Sequence, residues 1–269
     1  MTPAPTLTLA DMPLVSGRVA GVEFAVLGDG GPVTVFAHGL GGASGETRPL
    51  ALKAPGTRVL LTFRGHGASA ALSDGWDYDL LATDLLTVAD HVGADACVGL
   101  SLGCGALLRI LRDHPERFAR LAMVMPAALD EARTDGATVR LEQLGAAIDR
   151  GDVEAVTALL MTEVPAALRE RRAVPLLLAR RAAELVQRPA PVPRTTDRPL
   201  TDRAVLQRVL APTLVIGQAD DRLHPLELAR EVAAALPHAE LLALPEGGVF
   251  WTCAPQAQAA LAAHLEPLT

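Results

Sequence analysis

The sequence lacks most features that mark metal, redox, secreted and membrane proteins. Its 269 residues include only three cysteines, Cys97, Cys104 and Cys253, and no two of them form a CxxC pair. This spacing argues against a zinc or redox site, and the odd count argues against a disulfide framework. No run of about 18 apolar residues occurs, and no basic stretch precedes an apolar one near the start. We therefore expect a cytoplasmic protein without a membrane span.

A basic excess is also missing. The 24 basic residues are outnumbered by 31 acidic ones, which gives a formal net charge of −7. Such a chain offers no cationic surface to a nucleic-acid backbone or an anionic membrane, so we expect neither partner. Half of the residues are hydrophobic, which is enough for a globular core, and a small molecule is the expected partner. The oligomeric state is not specified by the sequence.

Short apolar runs alternate with amphipathic helical segments in the first half of the chain. The runs are Val33–Ala37, Arg58–Phe63, Ala96–Leu100 and Leu121–Met125, and each precedes a glycine-rich or polar turn. This alternation is typical of parallel strands joined by crossover helices. We predict the α/β class, with a mostly parallel central sheet flanked by helices.

The strand pattern is interrupted from Asp130 to about residue 205. This segment is rich in Ala, Leu and Arg with helical spacing, and strand-like runs return at Pro212–Ile216 and Leu241–Leu244. The sequence thus predicts a core formed by residues 1–129 and 206–269, with residues 130–205 as an inserted helical lid.

A candidate nucleophile stands between a predicted strand and a predicted helix. Residues 99–103 read Gly-Leu-Ser-Leu-Gly, which places Ser101 on a tight strand-to-helix turn with glycines on both sides. Glycines there tolerate the sharp backbone and the close approach of neighbouring elements. The same pattern also occurs in ordinary turns, but the strand–turn–helix context favours a nucleophile.

A second glycine-rich turn follows an earlier strand. Residues 38–42 read His-Gly-Leu-Gly-Gly, so backbone N–H groups there can point toward a developing oxyanion. We predict that the N–H groups of Leu40 and Leu102 form the oxyanion hole, with His38 and Gly39 in the pocket. The alternative is a turn whose glycines only clear a packed helix.

These turns, with Arg64-Gly65-His66-Gly67 between them, resemble the α/β-hydrolase fold superfamily in order and spacing. The resemblance covers nearly the whole chain and implies that the helical insertion is a lid. It does not specify the reaction, because this fold hosts esterases, lipases, thioesterases and lyases. One departure is Thr62, which stands where the family often has aspartate.

The resemblance implies a triad in the chain order serine, acid, histidine. The family's acid lies three residues after a glycine and four before a proline. Here Gly217 points to Asp220 and Pro225 to Asp221. We favour Asp221, because the sequence after the turn fits the family better than the sequence before it. The alternative is that the two aspartates only cap the next helix.

The histidine of the triad is missing from its usual place. The family has Gly-His ahead of its last helix, whereas this chain has Gly247-Gly248 followed by Val249, Phe250 and Trp251. His224 could replace the base, with His38 and His66 as further candidates, or no histidine does so. Phe250 and Trp251 predict an apolar pocket for a small hydrophobic substrate.

Three functions fit these residues. The first is a serine hydrolase acting on an ester or thioester, with Ser101 as nucleophile, Asp221 as acid and His224 as a relocated base. The second is a lyase, cyclase or isomerase that uses the oxyanion hole without a serine–histidine couple, and the third is a ligand- or partner-binding protein without activity. No metal cluster, phosphate loop or dinucleotide motif is present, so we expect no cofactor.

Overall fold

A single mixed sheet forms the centre of the molecule. The computed structural model describes residues 15–72, 75–131, 136–187 and 197–267. Within these residues the sheet has eight strands in the order β1-β2-β4-β3-β5-β6-β7-β8. The strands are β1 (Val15–Val19), β2 (Val22–Leu27), β3 (Val33–Ala37), β4 (Thr57–Thr62), β5 (Ala96–Leu100), β6 (Arg120–Val124), β7 (Thr213–Gln218) and β8 (Ala239–Leu244).

The strands from β3 to β8 pair in parallel, whereas β1 and β2 form an antiparallel hairpin that joins the sheet at β4. The predicted α/β class and mostly parallel sheet are confirmed. Because parallel strands end at the same edge, the turns after β3, β5 and β7 meet there. That edge holds the residues of interest.

Helices cover both faces of the sheet because the central strands are apolar on both sides. On β3, Val35 belongs to one core cluster and Phe36 to the other. The helices are α1 (Ser44–Ala51), α2 (Tyr78–Val92), α3 (Leu102–Asp113), α4 (Gly136–Asp149), α5 (Val153–Met161), α6 (Ala173–Val186), α7 (Leu226–Ala235) and α8 (Ala254–Leu265). The first cluster includes side chains of α2, α3 and α7, and the second includes side chains of α1 and α8. Burial of each such side chain stabilises the fold by about 1.5–3 kcal/mol.

The helices α4, α5 and α6 lie between β6 and β7 in the chain and form a helical insertion with its own small core. Ala147, Ile148, Val156, Ala182 and Leu185 are buried together there. Residues 132–135 and 188–196 of the predicted lid lie outside the described residues, so the predicted bounds stay a prediction. Among the helices that the structure describes, none is long and apolar enough to cross a membrane.

Candidate active site

Ser101 lies on a strained turn between β5 and α3. Its backbone has φ 49° and ψ −105°, a conformation that non-glycine residues rarely adopt. The turn is held because the Ser101 N–H donates to the Val124 carbonyl at 3.0 Å. A Cβ on Gly103 would overlap the Ala37 carbonyl oxygen, so only glycine allows α3 to approach β3 this closely. The packed elements therefore fix the serine at the carboxyl edge of the sheet.

Asp221 lies in the loop after β7 and is held by that loop's own backbone. Its Oδ1 accepts hydrogen bonds from the N–H groups of Leu223 and His224, both at 2.8 Å. Its Oδ2 lies 3.0 Å from His224 Nδ1, so Asp221 is the aspartate that contacts the histidine. Burial alone would raise the pKa of Asp221, but the hydrogen bonds and charge of His224 outweigh it and lower that pKa. The carboxylate is therefore ionised at neutral pH.

His224 connects the aspartate to the serine. Its Nε2 lies 2.9 Å from Ser101 Oγ, while its Nδ1 faces Asp221. An ionised carboxylate can only accept hydrogen bonds, so Nδ1 carries the proton and the lone pair of Nε2 faces the hydroxyl. This arrangement can remove a proton from Ser101. The three side chains form a continuous chain of hydrogen bonds with no histidine at position 248.

Position 248 has no room for the histidine that the family resemblance leads one to expect. Gly248 has φ +78°, and a Cβ built there would lie 2.5 Å from Trp251 Cδ1. Trp251 also packs against a cluster of the insertion that contains Val174 and Leu178, whereas Phe250 packs against the core cluster that contains Leu261 of α8. Trp251 thus connects this segment to the helical insertion.

His38 and His66 form hydrogen bonds with the loops that surround the site. The His38 ring is fully buried: Nε2 accepts the Phe63 N–H at 3.0 Å, and Nδ1 lies 2.7 Å from the Gly39 carbonyl, to which it donates. His66 Nδ1 lies 3.1 Å from the Arg64 carbonyl, and the two imidazole rings are 4.9 Å apart. These bonds support a structural role for both histidines.

Thr62, at the family's usual aspartate place, holds the start of α1. Its Oγ1 accepts the N–H of Ser44 at 3.1 Å. A free N–H at a helix start is often satisfied by a side-chain oxygen in this way. The threonine therefore supports the segment between residues 38–42 and α1.

Residues 38–42, which we call the oxyanion loop, lie directly against Ser101. The Gly42 N–H donates to the Gly39 carbonyl at 2.9 Å, and a Cβ on Gly39 would lie 3.4 Å from Ser101 Cβ. Leu102 is the first residue of α3, where N–H groups have no partner within the helix. The use of Leu40 and Leu102 as donors stays a prediction.

Two charged residues at this edge were not predicted from the sequence. Glu46 of α1 accepts the Gly39 N–H at 2.8 Å, and Arg181 of α6 donates to the Gly41 carbonyl at 2.7 Å. Desolvation raises the pKa of Glu46, although the charge of Arg181 opposes that shift. No sequence motif links either residue to the loop. Arg181 is 140 positions away from Gly41 and contacts it through the packing of the insertion.

Known proteins place the chain in a family. A model described as the alpha/beta hydrolase family matches residues 34–263. The chain therefore belongs to the α/β hydrolase family, and it is an enzyme of that family.

Proteins similar to the chain carry different activities in their names. One is named as a candidate non-heme chloroperoxidase of Synechocystis sp. and is 32% identical, covering 87% of this chain and 91% of that protein. Another is named as a candidate carbamate hydrolase RutD of Caulobacter sp. and is 31% identical, covering 90% and 94%. A solved hydrolase from Pseudomonas aeruginosa superimposes with a TM-score of 0.72 at 24% identity, covering 94% and 98%. The last comparison shows the fold alone.

Proposed function

We propose that the protein hydrolyses a carboxylic ester or thioester of a small hydrophobic molecule. The observation that carries this proposal is the contact of His224 with both Ser101 at 2.9 Å and Asp221 at 3.0 Å. A serine hydroxyl is a weak nucleophile alone, and an adjacent base held by a third group activates it. The relocated histidine supplies that base.

In the acylation step, Ser101 Oγ attacks the carbonyl carbon while its proton passes to His224 Nε2. The carbonyl oxygen becomes an oxyanion, which the N–H groups of Leu40 and Leu102 stabilise. Asp221 stabilises the imidazolium without taking its proton. The oxyanion then collapses, the bond to the leaving group breaks, and His224 returns the proton to the leaving alcohol or thiol.

In the deacylation step, a water molecule takes the place of the leaving group. His224 removes one proton from the water, the hydroxide oxygen bonds to the acyl carbon, and the bond to Ser101 breaks. The proton returns to Ser101 Oγ and the carboxylic acid leaves. The same three residues serve both steps, as in other serine hydrolases.

An apolar acyl group suits the apolar segment that follows position 248, where the histidine is missing. In that segment, Trp251 packs with apolar side chains of the insertion. We propose that the insertion acts as a lid over the substrate. One relative is named for carbamate hydrolysis, and a carbamate presents a similar carbonyl carbon to the nucleophile, so carbamates belong among the compounds tested.

The test is labelling with a fluorophosphonate together with hydrolysis of p-nitrophenyl butyrate, its thioester analogue and a phenyl carbamate. We expect labelling and turnover in the wild type, and neither in Ser101→Ala. Ser16→Ala is the matched control, because Ser16 is exposed on the edge strand β1.

Absence of labelling at every pH between about 6 and 9, or labelling that persists in Ser101→Ala, would overturn the proposal. Turnover that survives Ser101→Ala to within about tenfold but falls in Asp221→Asn would support a lyase, cyclase or isomerase instead. A rise in melting temperature with a ligand but no turnover would support a binding protein.

A further inference from the structure

Two charged side chains from separate elements hold the oxyanion loop on either side of Leu40. Before Leu40, the Gly39 N–H donates to Glu46 Oε2 at 2.8 Å. After Leu40, the Gly41 carbonyl accepts from Arg181 Nη2 at 2.7 Å. Glu46 belongs to α1 of the core, whereas Arg181 belongs to α6 of the helical insertion.

Such support matters because the loop is rich in glycine. Gly39, Gly41 and Gly42 surround Leu40, and Gly41 has φ +74°. Glycine has more backbone freedom than any other residue, so this loop has little stiffness of its own. Bonds to the Gly39 N–H and the Gly41 carbonyl restrict the peptide groups on both sides of the Leu40 N–H. Removal of one bond leaves that N–H less accurately aimed.

The two side chains also interact with each other. Arg181 Nη2 lies 3.5 Å from Glu46 Oε1, and the Glu46 side chain keeps 26% of its surface accessible although desolvation raises its pKa. Glu46 therefore lies beside the oxyanion loop with part of its side chain exposed. An uncompensated carboxylate there would oppose negative charge on a nearby oxyanion, and the guanidinium of Arg181 offsets it.

We propose that Arg181, acting with Glu46, is a positioning residue for the oxyanion hole, so that the helical insertion sets the direction of the Leu40 N–H. This inference rests on the proposed serine hydrolase function. Removing an oxyanion donor costs about 10²–10³ in kcat, and a 1 Å misplacement can cost about 10². We expect Arg181→Ala to lower kcat by about ten- to a hundredfold, with KM changed less than about threefold.

The matched control is the neighbouring arginine of the same helix. Arg180 is 81% exposed and pairs with Glu184 one turn further on, so Arg180→Ala should keep kcat within about twofold. Arg181→Lys keeps a cationic donor and should recover part of the loss. Glu46→Gln keeps an oxygen acceptor for the Gly39 N–H, and should be faster than Glu46→Ala. Circular dichroism melting identifies any variant that does not fold, in which case Arg181→Lys and Arg181→Gln replace it.

A second measurement does not require activity. Hydrogen exchange of the peptide that contains residues 38–43 should be faster in Arg181→Ala than in wild type, and unchanged in Arg180→Ala. In parallel, n-butylboronic acid forms a tetrahedral adduct with an active serine. Its inhibition constant should be higher for Arg181→Ala than for wild type, by the same factor by which kcat/KM is lower.

The outcomes separate this inference from the proposed function. A wild type that neither labels nor hydrolyses refutes the hydrolase, and hydrogen exchange then decides alone whether Arg181 holds the loop. In an active wild type, the inference is overturned if Arg181→Ala leaves kcat within twofold. It is also overturned if kcat falls while exchange of the loop stays unchanged, because Arg181 would then act in another way.

Discussion

Removal of the His224 imidazole should nearly abolish turnover. The ring contacts both Ser101 and Asp221, and its loss leaves the serine hydroxyl without this base. Loss of one member of a serine hydrolase triad costs about four to six powers of ten in kcat, and the histidine lies at the upper end of that range. At about 1.36 kcal/mol for each tenfold change, this is a loss of about 5–8 kcal/mol of transition-state stabilisation. His224→Ala should therefore hydrolyse p-nitrophenyl butyrate at a rate close to that of Ser101→Ala.

A histidine at the family's usual place should not rescue this variant. The φ of +78° at Gly248 strains any side chain there, and the Cβ would lie 2.5 Å from Trp251 Cδ1. We expect the double variant His224→Ala/Gly248→His to be as inactive as His224→Ala. Initial rates are compared at saturating substrate, after circular dichroism shows that each variant is folded.

The control is His238→Ala, because this histidine is exposed at the turn before β8. Its kcat should stay within about twofold of wild type. If His224→Ala keeps activity within a hundredfold of wild type, His224 is not the base. If Gly248→His restores activity to within tenfold, the packing of Trp251 does not exclude a base at that position.

Three further perturbations follow from the site. Asp221→Asn should lower kcat by about 10⁴, because an amide can hold the imidazole in the wrong tautomer; steady-state rates measure it. Gly103→Ala should lower the free energy of unfolding in urea by about 1–3 kcal/mol, because its Cβ overlaps the Ala37 carbonyl. For Glu46→Gln, urea unfolding at several pH values should show the variant gaining stability relative to wild type as the pH rises above about 4. Burial raises the folded-state pKa of Glu46, so ionisation costs wild type folding free energy that glutamine does not incur.

Each of these three variants has a control or a result that would contradict the prediction. Asp220→Asn tests the neighbouring aspartate and should keep kcat within about tenfold, since Asp221 provides the contact with His224. Gly45→Ala adds a Cβ into open space on α1 and should not destabilise the protein. Equal stability differences for Glu46→Gln at pH 5 and pH 8 would show that the Glu46 pKa is not raised in the folded protein.

The parallel part of the sheet could be predicted because its strands are apolar on both faces. The run Val33–Ala37 coincides with β3, and Ala96–Leu100 coincides with β5. The hairpin of β1 and β2 was missed, since β1 is an edge strand with mostly exposed residues and carries no apolar run. The hairpin joins the sheet only through β2, which pairs with β4.

Sequence motifs predicted residues at the carboxyl edge of the sheet only where the residues of a motif are neighbours in the chain. The turn around Ser101 follows from its glycines and from the strand before it, whereas the choice of His224 required the fold. The contact joins residues 123 positions apart, and three histidines were compatible with the same edge. Arg181 could not be found, because its bond to Gly41 spans 140 positions and depends on how α6 packs over the core.

Asp221 and His224 are three residues apart in the chain, so their relative position depends on a single turn. Both lie in one short turn after β7, while Ser101 follows β5, and β6 separates the two strands. Any displacement of this turn would move Asp221 and His224 together and would preserve the 3.0 Å contact between them. A histidine after β8 would instead depend on two contacts between separate loops, one with the aspartate and one with the serine. Here a single distance, between Ser101 Oγ and His224 Nε2, determines whether the imidazole can take the proton of the serine hydroxyl.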